Sequence, residues 1–371
     1  MSVIYGVGTS MFGRQTGTTA HVLGQQAVIE AFADAGTKDV QAAFVGSVFG
    51  ASGVAQRALH PLGLGGIPII TIENACASGT TALHEAHVAV ESGRFDRVLA
   101  LGLEHMTGRF RGGIHPERTD VDGASGLGLP GVYAMAASRF LADGRVTEAE
   151  LAAVSVKNHR HALGNERAQY RGDYTIEQVL ESAMIADPLT LLQCCPISDG
   201  AAAAVVGVDR GVGTDVGIRG IALRSGGLWD HLSPHVWGFD LVRATAHEAF
   251  QRAGLAPTDV DLAEVHDAFT IGEVVTTEAM GLVAEGDGGP AAARGVTALG
   301  GGLPVNPSGG LLSRGHPLGA TGLAQVAEVV WQLQGRAGAR QVEGARVGVV
   351  ETMGGGVAGI DGNGCVVAVL G

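Results

Sequence analysis

Apolar and polar positions alternate between two regimes along this chain. Short apolar runs read as buried strands: IITI at 69–72, VLALGL at 98–103, GAAAAVVG from Gly200, and VGVV at 347–350. They are too short for helices and are bounded by glycine or polar residues. Between them lie Ala-rich stretches whose apolar positions recur at helical spacing. One helix carries a start signal in its sequence: Thr147 with Glu150 three residues on predicts a capped helix over 147–163. Strands alternating with helices predict an α/β fold.

Part of the pattern occurs twice. Residues 31–45 read AFADAGTKDVQAAFV and residues 249–265 read AFQRAGLAPTDVDLAEV. Each predicts an amphipathic helix ended by a glycine (Gly36, Gly254), a short loop and a buried strand. Ala77-Ser78-Gly79 and Ala320-Thr321-Gly322 each open a second helical stretch, ending near Gly93 and Gly335. Arg97-Val98 and Arg346-Val347 then lead into apolar strands. The common order predicts duplicated halves, 1–215 and 216–371, with chance likeness between Ala/Gly-rich helices as the alternative. Residues from about 105 to 195 are more irregular and more polar, and read as an insertion in the first half that builds substrate walls.

Composition narrows the function. At 371 residues and 46% hydrophobic against 16% charged, the chain can bury a large core and is not a disordered one. A net charge of −13 argues against gripping nucleic acid. No apolar run approaches the roughly 18 residues of a membrane helix, and MSVIYGVGTS lacks a basic leader, so a cytoplasmic location away from membranes is expected. The four cysteines, Cys76, Cys194, Cys195 and Cys365, have neither a disulfide framework's density nor metal-ligand spacing, and no metal is expected.

Three segments carry candidate chemistry. In IITIENACASGTTALHEAHVAVESG, Cys76 stands where a strand turns into a helix. The helix N-terminus favours a thiolate there, and small neighbours leave room for an acyl group and for backbone N–H donors. A buried structural cysteine is the competing reading. In AEVHDAFT, His266 and Asp267 fall at a strand end, where α/β folds place ligands. In NPSGGLLSRGHPLGATG, His316 lies between Gly315 and Pro317 in a loop of constrained backbone suited to holding one imidazole rigidly. A phosphate-cradling loop is the rival reading, but its Walker form fails because no GK[ST] follows. ETMGGG at 351–356 adds bare amides after a strand.

Taken together and in this order, NACASG, HDAF, NPSGG with GHPLGATG, and TMGGG resemble the thiolase superfamily over essentially the whole chain. HDAF resembles the sterol-carrier-protein-2-type and archaeal-type members. The resemblance implies a duplicated five-layer αβαβα fold of two βαβαβαββ halves, and a homodimer. It implies an acyltransferase with Cys76 as nucleophile, His266 and His316 as catalytic histidines, and the backbone N–H groups of Cys76 and Gly354 as oxyanion hole. Asp267 and Asn306 are implied in support. A CoA thioester is the implied substrate, with no cofactor beyond it, in lipid metabolism.

The departures are informative. Many thiolases carry a second cysteine in the last loop, where this chain has Thr352, or within His-Asp-Cys-Phe, where it has Ala268. Three functions follow from the resemblance. The first is an acyl-CoA C-acyltransferase for 3-oxoacyl-CoA thiolysis or Claisen-type condensation. The second is a C-acyltransferase or retro-aldolase of secondary or steroid metabolism, using another acceptor and a small OB-fold/zinc-ribbon partner protein. The third is a non-catalytic subunit of a thiolase complex, against which the retained Cys76, His266 and His316 argue. Elsewhere, His159 and His161 read as solvated on a polar helix. Trp229, His235 and Trp237, in a loop before a helix, read as wall residues or simple packing. Cys194-Cys195-Pro196 and the Asp199-Gly200 turn read as structural.

Overall fold

The computed structural model describes residues 1–371 except 111, 115–116, 212–214 and 231. The expected insertion contains 111, 115 and 116, which lie outside the described residues. The first half supplies strands β1 (Ser2–Thr9), β2 (Ala43–Gly46), β3 (Ile69–Ile72), β4 (Arg97–His105) and β5 (Asp199–Val208). The second supplies β6 (Val216–Arg224), β7 (Leu262–Glu264), β8 (Gly348–Gly354) and β9 (Gly364–Leu370). The helices of eight or more residues are α1 (Ala20–Ala35), α2 (Ser78–Glu91), α3 (Leu129–Ala142), α4 (Glu148–Ala162), α5 (Phe239–Ala253), α6 (Thr270–Ala279) and α7 (Leu318–Leu333).

The strands run in the order β3-β2-β4-β5-β1-β6-β9-β8-β7. Read outward from the β1/β6 junction, the two sides repeat: an antiparallel neighbour, a second antiparallel pairing, then a parallel one. The half-sheets join through a short antiparallel ladder, Val3 to Gly217 and Ile4 to Val216, so hydrogen bonding is continuous across them. The duplicated helix ends are also alike. Gly36 and Gly254 adopt φ of 63° and 65°, and the N–H groups of each and of the next residue cap the helix carbonyls behind.

Strand alternation sorts the core into layers. On β4, Val98 and Ala100 face a central cluster with α2 and α7, while Leu99, Leu101 and Leu103 face α1. On β9, Val366, Ala368 and Leu370 face the central cluster, while Cys365, Val367 and Val369 face α5 and α6. The layers therefore run α1, first half-sheet, α2 with α7, second half-sheet, α5 with α6, which is the five-layer αβαβα arrangement expected from the sequence. Helices α3 and α4 come from the 105–195 region and join the outer cluster of the second half. Thr147 and Glu150 form the predicted capping box of α4.

Helices α2 and α7 approach unusually closely. A Cβ on Gly102 would lie 2.2 Å from the Gly319 carbonyl oxygen, and one on Gly79 2.6 Å from the same atom. A Cβ on Gly319 would meet the Gly46 and Leu103 carbonyls at 2.8 and 2.9 Å. These obstacles are backbone atoms, which cannot swing aside. Among the described residues, no helix is long and apolar enough to cross a membrane.

Gly102→Ala is expected to destabilise the fold by about 1–3 kcal/mol, as overpacking of a close-packed core does. The urea unfolding midpoint measures this, and an unchanged midpoint would contradict the close-contact account.

Candidate active site

Cys76 sits in the turn between β3 and α2. The preceding residue, Ala75, has φ of 48°, a left-handed conformation that costs a residue with a Cβ about 1–2 kcal/mol. Side chains hold the turn: the Asn74 N–H donates to Ser78 Oγ at 2.8 Å, the Ser78 hydroxyl donates to the Ala75 carbonyl at 2.6 Å, and the Ala75 N–H donates to Glu73 at 2.8 Å. His316 occupies the equivalent position before α7. It follows Gly315, at φ 115°, and precedes Pro317, which caps the helix. His266 ends the segment after β7, where its N–H donates to Glu351 at 2.9 Å.

The fold brings these three residues together. One ligand-type atom from each of Cys76, His266 and His316 lies within 4.8 Å of the other two, and all three residues are buried. The imidazoles meet edge to face with centroids 5.1 Å apart. His316 Nδ1 lies 2.7 Å from the Thr321 hydroxyl oxygen, and that hydroxyl donates to the Pro317 carbonyl at 3.0 Å. With its one proton so used, Thr321 accepts from Nδ1–H, which leaves His316 Nε2 free as a base. His266 Nδ1 has no hydrogen-bond partner among the described residues. This Cys/His trio also has the composition of a small metal-binding set. A metal there would occupy the lone pairs that proton transfer needs.

Asp267 and Asn306 lie behind the trio. Asp267 accepts from the Leu311 N–H at 2.6 Å and from the Asn158 amide at 2.7 Å, tying the end of β7 to the histidine loop. Asn306, at φ 56°, accepts from the Val265 N–H at 2.9 Å and donates to Glu273 at 2.8 Å. Lys157 pairs with Glu273 at 2.9 Å.

The reading of His159 and His161 is corrected below. Gly355 lines the cavity together with Cys76. Gly354, the expected oxyanion-hole partner, ends β8 opposite Gly364 and packs against the turn that carries Cys76, where a Cβ on it would lie 2.3 Å from the Asn74 carbonyl oxygen. His159 and His161 are buried, not solvated, because the polar face of α4 packs against the loops carrying Asn306. His161 Nδ1 lies 3.0 Å from the Asn306 carbonyl, while its Nε2 accepts from the Leu299 N–H at 2.9 Å. Burial, with Lys157 nearby, holds His161 down at about 3. Thr352 points into α7, donating to Gln325 at 2.6 Å. Asp199 is structural, accepting from the Met106, Thr107 and Gln15 N–H groups.

The trio lines a cavity of about 270 Å³. Its walls include Met106, Ile114, Leu129, Tyr133, Trp237 and Phe269, and no Asp, Glu, Lys or Arg among the described residues. Trp237 is a wall residue fixed by its Nε1–H to the Ile360 carbonyl at 3.0 Å, whereas His235 stacks on Phe239. Cys194 and Cys195, read as structural from the sequence, line the cavity too. No spacing signal in the sequence marked them or Tyr133 as wall residues.

So apolar a site decides the charge states. Burial pushes the Cys76 thiol up to about 12, with Glu104 and Glu73 adding to the shift. Burial thus outweighs the positive helix end. Burial holds His266 down at about 3 and His316 well below the usual imidazole value, the latter helped by His266 and Arg314. Near neutral pH the site is thus a thiol beside two neutral imidazoles.

The chain was then compared with known proteins. Residues 3–209 match the family model of the thiolase N-terminal domain, and residues 231–360 match the thiolase C-terminal domain-like model. The acetyl-CoA acetyltransferase of Methanothermobacter thermautotrophicus is 41% identical over 370 residues, covering 95% of this chain and 96% of that protein. Sterol carrier protein 2 of Gallus gallus is 39% identical, covering 95% of this chain and 69% of that protein. The solved structure of the Ltp2-ChsH2(DUF35) aldolase is 25% identical with a TM-score of 0.85, over 100% of this chain and 97% of that one.

Alkylation of the Cys76 peptide by iodoacetamide, followed by mass spectrometry, reports its thiolate. Because the raised value keeps the thiol protonated, the rate is expected to rise about tenfold per pH unit from 7 to 10 without a plateau. A plateau below pH 8 would show a preformed thiolate.

Proposed function

Because the chain belongs to the thiolase family, we propose that it acts as a thiolase-like acyltransferase in which Cys76 carries the acyl group between two thioester partners. The observation that carries this reading is the convergence of Cys76, His266 and His316 in one apolar cavity. His316 Nε2 takes the Cys76 proton as the sulfur attacks the substrate carbonyl. The developing oxyanion is met by the Cys76 and Gly354 N–H groups. His266 and His316 face the second oxygen, the enolate of the departing or incoming thioester. Each donor of this kind is worth about 100- to 1000-fold in rate. Excluding water and charge from the walls strengthens all of these contacts.

The cavity also supports a substrate class. An acetyl methyl group displaces about one water's share of volume, ~30 Å³. The cavity is several times that, with Leu, Ile, Met and aromatic walls. A medium-chain or aryl acyl group fits this lining, with CoA as carrier, in cytoplasmic lipid metabolism. Condensation and thiolysis are the two directions of the same chemistry. The likeness to the Ltp2-ChsH2(DUF35) aldolase favours a second reading, carbon–carbon cleavage of a bulky apolar substrate in the company of a small OB-fold/zinc-ribbon partner. The nucleophile with both histidines favours acyl transfer over that reading.

A homodimer is the assembly we favour. β3 is a sheet edge with Ile70 exposed, four residues from Asn74 and the nucleophile turn. A second copy's β3 would pair that edge. Light scattering is expected to give a dimer mass for the wild-type chain and a monomer for Ile70→Lys; a monomeric wild-type chain contradicts the assignment.

Incubation with acyl-CoAs is expected to leave an acyl adduct on Cys76, absent from Cys76→Ala; an adduct elsewhere overturns the nucleophile. Each buried methylene contributes ~0.8 kcal/mol, so four extra ones should raise kcat/KM for thiolysis on the order of 100-fold over acetoacetyl-CoA. Preference for acetoacetyl-CoA would contradict the proposed substrate class.

A further inference from the structure

Thiolysis needs a proton delivered to carbon. When the bond next to the attacked carbonyl breaks, the electron pair left on the α-carbon must be protonated while Cys76 holds the other fragment. The histidines are committed to sulfur and oxygen. Thr352 is turned into α7, and Ala268 lines the cavity without a polar atom. The site as assembled so far lacks an acid for the α-carbon.

Among the described residues, the cavity wall offers four further side chains with exchangeable protons: Trp237, Cys194, Tyr133 and Cys195. Trp237 donates to the Ile360 carbonyl, and the Cys194 thiol donates to the Thr190 carbonyl at 3.2 Å. Tyr133 is over nine-tenths buried, and its hydroxyl has no hydrogen-bond partner among the described residues. Its ring is clamped by Phe269 and Trp237, at 4.6 and 5.7 Å between centroids. It is an unpartnered donor suited to a substrate oxygen. Cys195 likewise has no side-chain partner among the described residues. Its N–H donates to the Ala268 carbonyl at 2.8 Å, and the bridge between Cys194 and Phe269 continues the same contact. Backbone pairing therefore sets Cys195 beside position 268, the one at which His-Asp-Cys-Phe sequences carry their thiol.

Resting on the acyl-transfer reading above, we propose that Cys195 is the acid and base for the substrate's α-carbon, supplying from a neighbouring segment the thiol missing at 268 and 352. The Cys76 thiolate attacks C3 of a 3-oxoacyl thioester, forming the C–S bond. The C2–C3 bond breaks, its electron pair passing to the enolate held by the two imidazoles. The Cys195 S–H proton goes to C2, which releases the C1–C2 fragment as a two-carbon thioester, leaves the shortened acyl group on Cys76 and leaves a Cys195 thiolate. The incoming CoA thiol gives its proton to Cys195, and its sulfur attacks the acyl group on Cys76. Cys76 leaves as thiolate and recovers its proton from His316. Burial, with the neighbouring Cys194, Cys76 and Asp267, holds Cys195 well above the usual thiol range, so it rests protonated as an acid must. Condensation runs the same steps backwards.

The test separates proton transfer at carbon from acylation. Exchange of α-hydrogens of a simple acyl-CoA in D2O is followed by mass spectrometry, beside the rate of Cys76 acylation by the same compound. In Cys195→Ala and Cys195→Ser, exchange is expected to fall about 100-fold or more relative to acylation, the usual worth of a general acid–base group. Adding Ala268→Cys to Cys195→Ala is expected to restore exchange at least about tenfold. Exchange and acylation falling together in both Cys195 variants would mean a structural role and overturn the proposal. So would loss of exchange in Tyr133→Phe with retention in Cys195→Ala. If the wild-type protein is never acylated on Cys76, the acyl-transfer reading itself fails; acylation with undiminished exchange in the Cys195 variants defeats only the role given to Cys195.

Discussion

Two helix N-termini meet backbone to backbone at the centre of this molecule, and the candidate chemistry depends on that contact. Cys76 precedes α2 and His316 precedes α7. The helices belong to different halves, yet the Gly319 carbonyl lies where side chains on Gly79 and Gly102 would be. Glu104, buried at the end of β4, accepts from the Val48, Phe49 and Gly319 N–H groups and so stitches both halves to one carboxylate. Burial brings that carboxylate up to about 7. A methyl group at any of the three glycines would push α7 away from β4 and α2, and Cys76 and His316 would lose their common placement.

Around the contact, polar groups are sorted by depth. The cavity itself is walled by apolar side chains, which keeps the thiol protonated and the imidazoles neutral until a substrate carbonyl arrives. Behind the histidines, Asp267, Asn158, Glu273, Lys157 and Asn306 form a connected buried network. Buried polar groups of this kind are costly unless fully paired, and once paired they hold a unique geometry. Here they fix the backbone carrying His266 relative to the loop carrying His316, so the imidazoles are aimed without charged groups entering the cavity.

Much of this was legible in the chain. The duplicated helix–glycine–strand pattern marks the two halves because a left-handed cap demands glycine at Gly36 and Gly254. The trio of Cys76, His266 and His316 was legible because its surroundings are unusual: small residues about Cys76, and Gly315 and Pro317 about His316. The polar face of α4 misled, since charged and amide residues look alike whether they meet water or a buried network.

The amino-acid sequence by itself determined the αβ alternation, the duplication and the identity of Cys76, His266 and His316, because periodicity, caps and short motifs are local properties. Tertiary structure alone decided which groups share the cavity. Cys195 comes from a segment about 120 residues from Cys76 in the chain and some 70 from His266, and only backbone pairing with Ala268 and Phe269 sets it there. Charge states were decided at the same level. A helix start favours a thiolate, but burial among apolar walls outweighs it, and burial is a property of the packed molecule.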